Sequence, residues 1–152
     1  MNLRFYLEKL NDSDEFMDFK RKNPDAYFCS AFFVIDKDNN DNKIHFDYFV
    51  PEINRFFSFQ LEKGINLAQL DRINEKNPSK LKEGRDLGFE FAEIENIIEK
   101  EMIKNNIKNK IQKIMLSLQE IDGKTCLMGT VFISLLGILK INISLPKKEI
   151  IL

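Results

Sequence analysis

Tryptophan is absent from this chain, histidine occurs once and cysteine twice. A lone histidine, His45, excludes a multi-histidine metal centre, which needs several imidazoles on one ion. Cys29 and Cys126 lie far apart and form no CxxC pair, so the close-spaced thiol motifs of metal and redox sites are excluded. They read as two buried, reduced thiols, with a long-range disulfide as the alternative. The six glycines are scattered. No GxxxxGKS/T or GxGxxG loop exists to cradle a phosphate, and no GxSxG elbow presents a serine. Neither sign of charge prevails: 23 basic side chains face 24 acidic ones, for a net charge of −1. Overall charge therefore gives no pull toward nucleic acid or anionic lipid, and little repulsion to oppose self-association. Long apolar runs are missing too. The longest, Cys126 to Leu139, is broken by Gly129, Thr130, Ser134 and Gly137 and falls short of the roughly 20 residues of a membrane span. Residues 1–15 mix Arg4, Glu8, Lys9, Asp12, Asp14 and Glu15, so no signal-peptide core is read there and the expected location is cytoplasmic.

What is present suits one domain of globular composition over residues 1–152, 43% apolar and 31% charged. Leu3, Tyr6, Leu7 and Leu10 have helical spacing. Ser13 offers an N-cap to a second short helix that Pro24 ends. Residues 26–35 are apolar on both alternating sets: Tyr27, Cys29, Ala31, Phe33 and Ile35 on one, Phe28, Phe32 and Val34 on the other. That pattern predicts a central strand covered on both sides. The turn formers of 36–42 lead to strand 43–50, and Pro51 separates it from strand 55–62. In the connection 63–88, Ile65, Leu67 and Leu70 suggest a short helix, followed by a polar stretch punctuated by Pro78 and Gly84. Residues 89–106 form the clearest helix, with Phe91, Ile94, Ile98 and Met102 in one stripe, glutamates at its start and lysines at its end. Strands follow at 109–121, 124–134 and 138–145. Asp122-Gly123 gives the strongest hairpin signal, and Gly137 a break or bulge. Residues 150–152 add a terminal edge strand.

The expected fold is α+β, an antiparallel sheet of two three-stranded meanders packed against helices on one face. The element order suggests an αβββ duplication, with pseudo-repeats 13–62 and 89–152 joined by 63–88. Pairing of the meanders edge to edge would also hide strand edges. Three features of the second half carry a resemblance: the amphipathic helix at 91–104, the turn Asp122-Gly123-Lys124, and the closing segment Leu139 to Ile150. Residues 89–152 thereby resemble PepSY-like and cystatin-like domains, in which a helix packs on an antiparallel meander. The chain departs from PepSY at Pro146-Lys147-Lys148-Glu149, where that family has an acidic residue and a Thr-Gly pair. The resemblance implies a non-catalytic binding or inhibitory module and transfers no functional residue.

Candidate chemistry is sparse. His45 and Asp47 alternate onto one strand face with Tyr48 beside them, a constellation for general-base work; the bland reading is a surface pair on a solvated sheet. Asp36, Asp38 and Asp41 sit in an oxygen-rich run, but a calcium loop starting at Asp36 would need Gly and Glu where Asp41 and Asp47 stand, so a hairpin turn is expected. Lys100, Lys104, Lys108, Lys110 and Lys113 cluster without an aromatic or arginine, which is no strong nucleic-acid signal. The surplus of phenylalanine, 14 residues, makes Phe49 and Phe56, with Tyr48, the candidate ligand or partner surface. No cofactor or metal is called for. The function expected is a non-enzymatic protein-interaction or binding module, with self-association through an exposed edge as one form of it; the alternative is a small-molecule-binding cystatin-like domain using His45 and Asp47.

Overall fold

Short polar caps decide where the helices begin. Asn2 accepts the amide N–H of Arg4 at 2.8 Å and starts α1 (Leu3–Asn11), which buries Leu3, Leu7 and Leu10. The hydroxyl of Ser13 accepts from the N–H of Phe16 at 3.2 Å and starts α2 (Asp14–Lys22), whose one fully buried side chain is Phe19. Such a cap satisfies an amide that the helix itself leaves orphaned. Glu90 and Glu93 close a capping box at the head of α3 (Phe91–Lys104), which buries Ile94, Ile98 and Met102. The structure, a computed structural model, describes residues 2–70, 76–81, 87–145 and 149–150.

The strands are β1 (Tyr27–Asp36), β2 (Lys43–Val50), β3 (Arg55–Gln60), β4 (Asn66–Leu70), β5 (Ile111–Ile121), β6 (Lys124–Ile133), β7 (Gly137–Ser144) and the two-residue β8 (Glu149–Ile150). The class is α+β. Among the described residues one antiparallel sheet runs in the order β4-β3-β2-β1-β5-β6-β7-β8. Its midline is the pairing of β1 with β5, from Ala31 opposite Leu118 to Asp36 opposite Lys113.

Two local expectations are corrected. Ile65 to Leu70 are not a helix but lead into β4, with Ser58 opposite Ala68. Gly64, at φ 74°, folds the chain back on β3, and ladder pairing outweighs a weak helical spacing. The alternation in β1 is also not continuous. Tyr48 faces Phe28 but Asp47 faces Ser30, so Cys29 is an extra, bulged residue. The bulge flips the pattern and brings Phe28, Ala31 and Phe33 onto one face, where strict alternation had separated Phe28 from the others. The expected break at Gly137 is present as a strand boundary, not a bulge: Gly137 opens β7 after a tight connection from β6, with Ile133 opposite Gly137. The expected turn Asp122-Gly123 forms as read, with φ 51° and 77° between the paired Ile121 and Lys124. Most of the polar stretch before α3 and the turn at 146–148 lie outside the described residues, as do residues 151–152 of the terminal strand.

The core is aromatic at one end and aliphatic at the other. Phe19 of α2 meets Phe57 at 5.3 Å and Phe59 at 5.1 Å between ring centroids, and Phe16 meets Tyr48 at 5.2 Å. Phe91 of α3 meets Phe33 at 5.2 Å. Ile94, Ile98, Ile114, Leu116, Leu127 and Ile143 are buried in the same contiguous core.

Candidate functional site

The His45–Asp47 face is built as structure. His45 meets the Glu62 carboxylate through Nε2 and packs beside Phe32 at 5.9 Å. Asp47 instead lies in a cross-strand row between Ser30 and Ser58. Its Oδ2 accepts the Ser30 hydroxyl at 2.9 Å. Burial holds the Asp47 carboxyl above the usual carboxylate range, opposed by hydrogen bonds from Ser58 and Ser30 and by the charge of His45. The neighbouring Cys29 thiol is pushed up to about 12, first by burial and then by the negative charge of Asp47. It therefore stays a protonated, unreactive thiol at neutral pH. Cys29 and Cys126 are both buried and unpaired with each other. The two sequence candidates thus share a face but have separate partners, and neither lines the clefts described below.

The aromatic candidates divide. Phe49 is fully buried, with Tyr27 at 5.7 Å and Phe56 at 4.9 Å, so it is core and offers no surface. Phe56 is half-buried beside it. Tyr48 projects to the opposite side of β2, into the Phe16, Phe28 and Phe59 rings. It is buried, but it contributes to the wall of a cleft of about 580 Å³ between α2 and residues 80–81. The acidic run is a turn: Asp36 Oδ1 accepts the N–H groups of Asn39 at 3.0 Å and Asp38 at 3.1 Å. The N–H of Asn39 is the chief reason that the Asp36 carboxyl lies below the usual range.

A larger cleft, about 680 Å³, opens where α3 hands over to β5. Its origin is the way α3 stops. Asn106 adopts φ 57°, and the N–H of Ile107 reaches back to the carbonyl of Met102 at 2.8 Å. This left-handed cap turns the chain sharply and sets Ile107 against Met102. Met102, Ile103, Ile107 and Ile111 supply the apolar wall; Lys37, Lys108 and Lys110 supply cations, with Glu99 as a carboxylate. Lys37 is held by Glu95 at 2.6 Å, whereas Lys108 and Lys110 are exposed. A cavity of this size with an apolar wall and a few charged groups has the make-up of a ligand site. The sequence placed Lys108 and Lys110 in a basic cluster at a helix end, weighed for nucleic acid and not for a cleft. The missed signal was the pair Asn105-Asn106 after a helix, residues that favour a left-handed cap.

The second unforeseen feature adjoins it. Ser134 bonds to Lys110 through both backbone and side chain, at 2.8 Å and 3.0 Å, so the β6–β7 connection is tied to the cleft's rim. At its apex Leu135 and Leu136 stand at φ 64° and 61° and are 90% and 99% exposed. A non-glycine residue in that conformation costs roughly 1–2 kcal/mol. Two leucines there satisfy neither the backbone nor the core.

No protein-family model matches the chain, and no curated protein matches it. In fold it is similar to a "putative lipoprotein" of Clostridium difficile 630 whose crystal structure is known, with a TM-score of 0.58 at 14% identity over 91% of this chain and 88% of that one. At that identity the likeness is one of fold. Among the described residues no helix is long and apolar enough to cross a membrane.

Proposed function

We propose that the protein is a non-enzymatic binding module whose ligand is an amphipathic anion, an apolar chain ending in a carboxylate or phosphate, held in the α3–β5 cleft. The observation that carries this reading is the composition of the cleft: an apolar wall of Met102, Ile103, Ile107 and Ile111 with the exposed lysines Lys108 and Lys110 at its edge. Apolar wall and cation together select one chemistry, since a hydrocarbon alone leaves the lysines unused and a small anion alone leaves the wall wet. His45 and Asp47, with structural partners of their own, have no part in it. Calorimetric titration with dodecanoate, against dodecanol as the uncharged control, tests the reading. Saturable one-to-one binding of dodecanoate, weakened about tenfold by Lys108→Ala with Lys110→Ala, is expected; tenfold corresponds to about 1.4 kcal/mol, the scale of a charge-assisted contact. No binding, or equal binding of the alcohol, would reject it.

A second reading, self-association, is favoured by one observation. The outermost strand β4 exposes Leu67 and Leu70, and an outer strand is a template for pairing with another copy. Light scattering that gives a 17.9 kDa particle at high concentration would reject it. The same interpretation takes the two halves as a duplicated helix-and-meander unit with helices on one face of the sheet. It extends to the PepSY-like and cystatin-like character of residues 89–152 and to a cytoplasmic location. The succession of α3 and antiparallel β5, β6 and β7 supports the helix-and-meander part of that reading.

A further inference from the structure

We infer that the β6–β7 hairpin tip is a membrane-docking element, inserting Leu135 and Leu136 into the interface of an anionic bilayer while the adjacent lysines meet lipid headgroups. The leucines are the most exposed large apolar side chains among the described residues, and Ile138 beside them is 58% exposed. They sit in the connection between two paired strands and line neither of the clefts described. An exposed apolar tip suits a fluid bilayer, which closes around whatever enters it; a protein partner would need a preformed pocket.

Charge complementarity selects the kind of bilayer. Lys110 is hydrogen-bonded through its backbone to Ser134, one residue before Leu135, and Lys108 lies two residues earlier than Lys110. Both are exposed, as is Lys140 on the neighbouring strand, whose Nζ donates to Thr130 at 2.9 Å. No acidic residue lies between Met128 and Leu145. Lysines in this position keep their ammonium groups at headgroup level while their stems lie along apolar surface. The inference shares Lys108 and Lys110 with the ligand cleft, but its apolar half rests on Leu135 and Leu136, which line no part of that cleft, so the leucine variant tests it independently.

Co-sedimentation of the full chain with vesicles of phosphatidylcholine and phosphatidylserine, and with pure phosphatidylcholine, tests it. The wild type should pellet with the mixed vesicles and bind pure phosphatidylcholine about tenfold less, as expected when basic residues add to apolar insertion. The variant Leu135→Asn with Leu136→Gly should lose binding by about tenfold or more; asparagine and glycine accept the left-handed backbone, so the hairpin stays formed and a urea midpoint no lower than that of the wild type separates lost docking from lost fold. Lys108→Glu with Lys110→Glu should remove the preference for phosphatidylserine. A wild type that stays in the supernatant overturns the inference and leaves the tip to a protein partner. Equal binding by the Asn-Gly variant overturns it as well.

Discussion

Replacing Leu136 by glycine should make the protein more stable. The backbone there stands at φ 61°, and its side chain is 99% exposed. Truncation removes almost no buried area, so the hydrophobic loss is close to nothing. Relief of the left-handed conformation returns roughly 1–2 kcal/mol. The added freedom of glycine in the unfolded chain takes back about 0.5–1 kcal/mol. The balance is a gain of about 0–1.5 kcal/mol, centred on about 0.75 kcal/mol. Urea unfolding should show a higher midpoint with an unchanged slope, and thermal melting a rise of roughly 2–4 °C for each kcal/mol. The next residue gives the control of opposite sign. A Cβ at Gly137 would come within 2.5 Å of Ile133 Cγ1, a buried side chain with little room to move. Gly137→Ala should therefore lose about 1–3 kcal/mol. A Leu136→Gly variant less stable than the wild type would refute the reasoning, because it would mean that the leucine packs against something in the folded chain.

Phe19→Ala removes the one fully buried side chain of α2, which meets Phe59, Phe57 and Tyr48 at 5.1, 5.3 and 6.1 Å. It should cost about 3–5 kcal/mol in guanidinium unfolding; a loss below about 1 kcal/mol would mean that the helix is not docked as described. Gly129→Ala places a Cβ 2.9 Å from both Ile141 Cγ1 and Leu116 Cδ2, and a loss of about 1–3 kcal/mol is expected from the same measurement. Asp47→Asn tests the buried carboxyl by pH. A raised folded-state pKa means that the group's contribution to stability is fully present below the unfolded value of about 4 and is lost as pH rises through the folded value. An asparagine side chain has no such proton to lose, so the variant should gain on the wild type as pH rises above about 4 and show no gain below about pH 3.5; a difference that does not change with pH would reject the assignment.

Most of the strand and helix pattern was legible because burial imposes a period. Phe46, Tyr48 and Val50 alternate, and so do Leu116 and Leu118; Ile94, Ile98 and Met102 recur at helical spacing. Caps at Ser13 and the turn at Asp122-Gly123 were legible because each meets a fixed backbone need with a residue suited to it. What escaped is where backbone geometry departs from side-chain pattern. The bulge at Cys29 cannot be seen in a strand that is apolar on both sides, because either phase of alternation is satisfied. β4 escaped because its pairing depends on a neighbour and not on its own weak spacing. Likewise, sequence alternation put His45 beside Asp47 correctly, but cross-strand register gave Asp47 to Ser30 and Ser58, while Glu62, beyond the end of β3, took His45.

That distinction separates the two surfaces of interest from the rest of the molecule. A buried polar group that has found partners, such as Asp47, is accounted for by folding alone. The leucines at the β6–β7 apex are not. They oppose the local backbone preference, bury nothing in the described structure, and stand where Asn-Gly would fold better. Residues that weaken a fold persist when something outside the fold uses them, and the lysine-edged cleft tied to the same connection through Ser134 and Lys110 gives that use a place. If function resided at His45 instead, the rule-breaking would be expected there, as an unpartnered group in a cleft. Its contact with the Glu62 carboxylate on an orderly strand puts the departure from folding logic elsewhere in the sheet, at the β6–β7 connection.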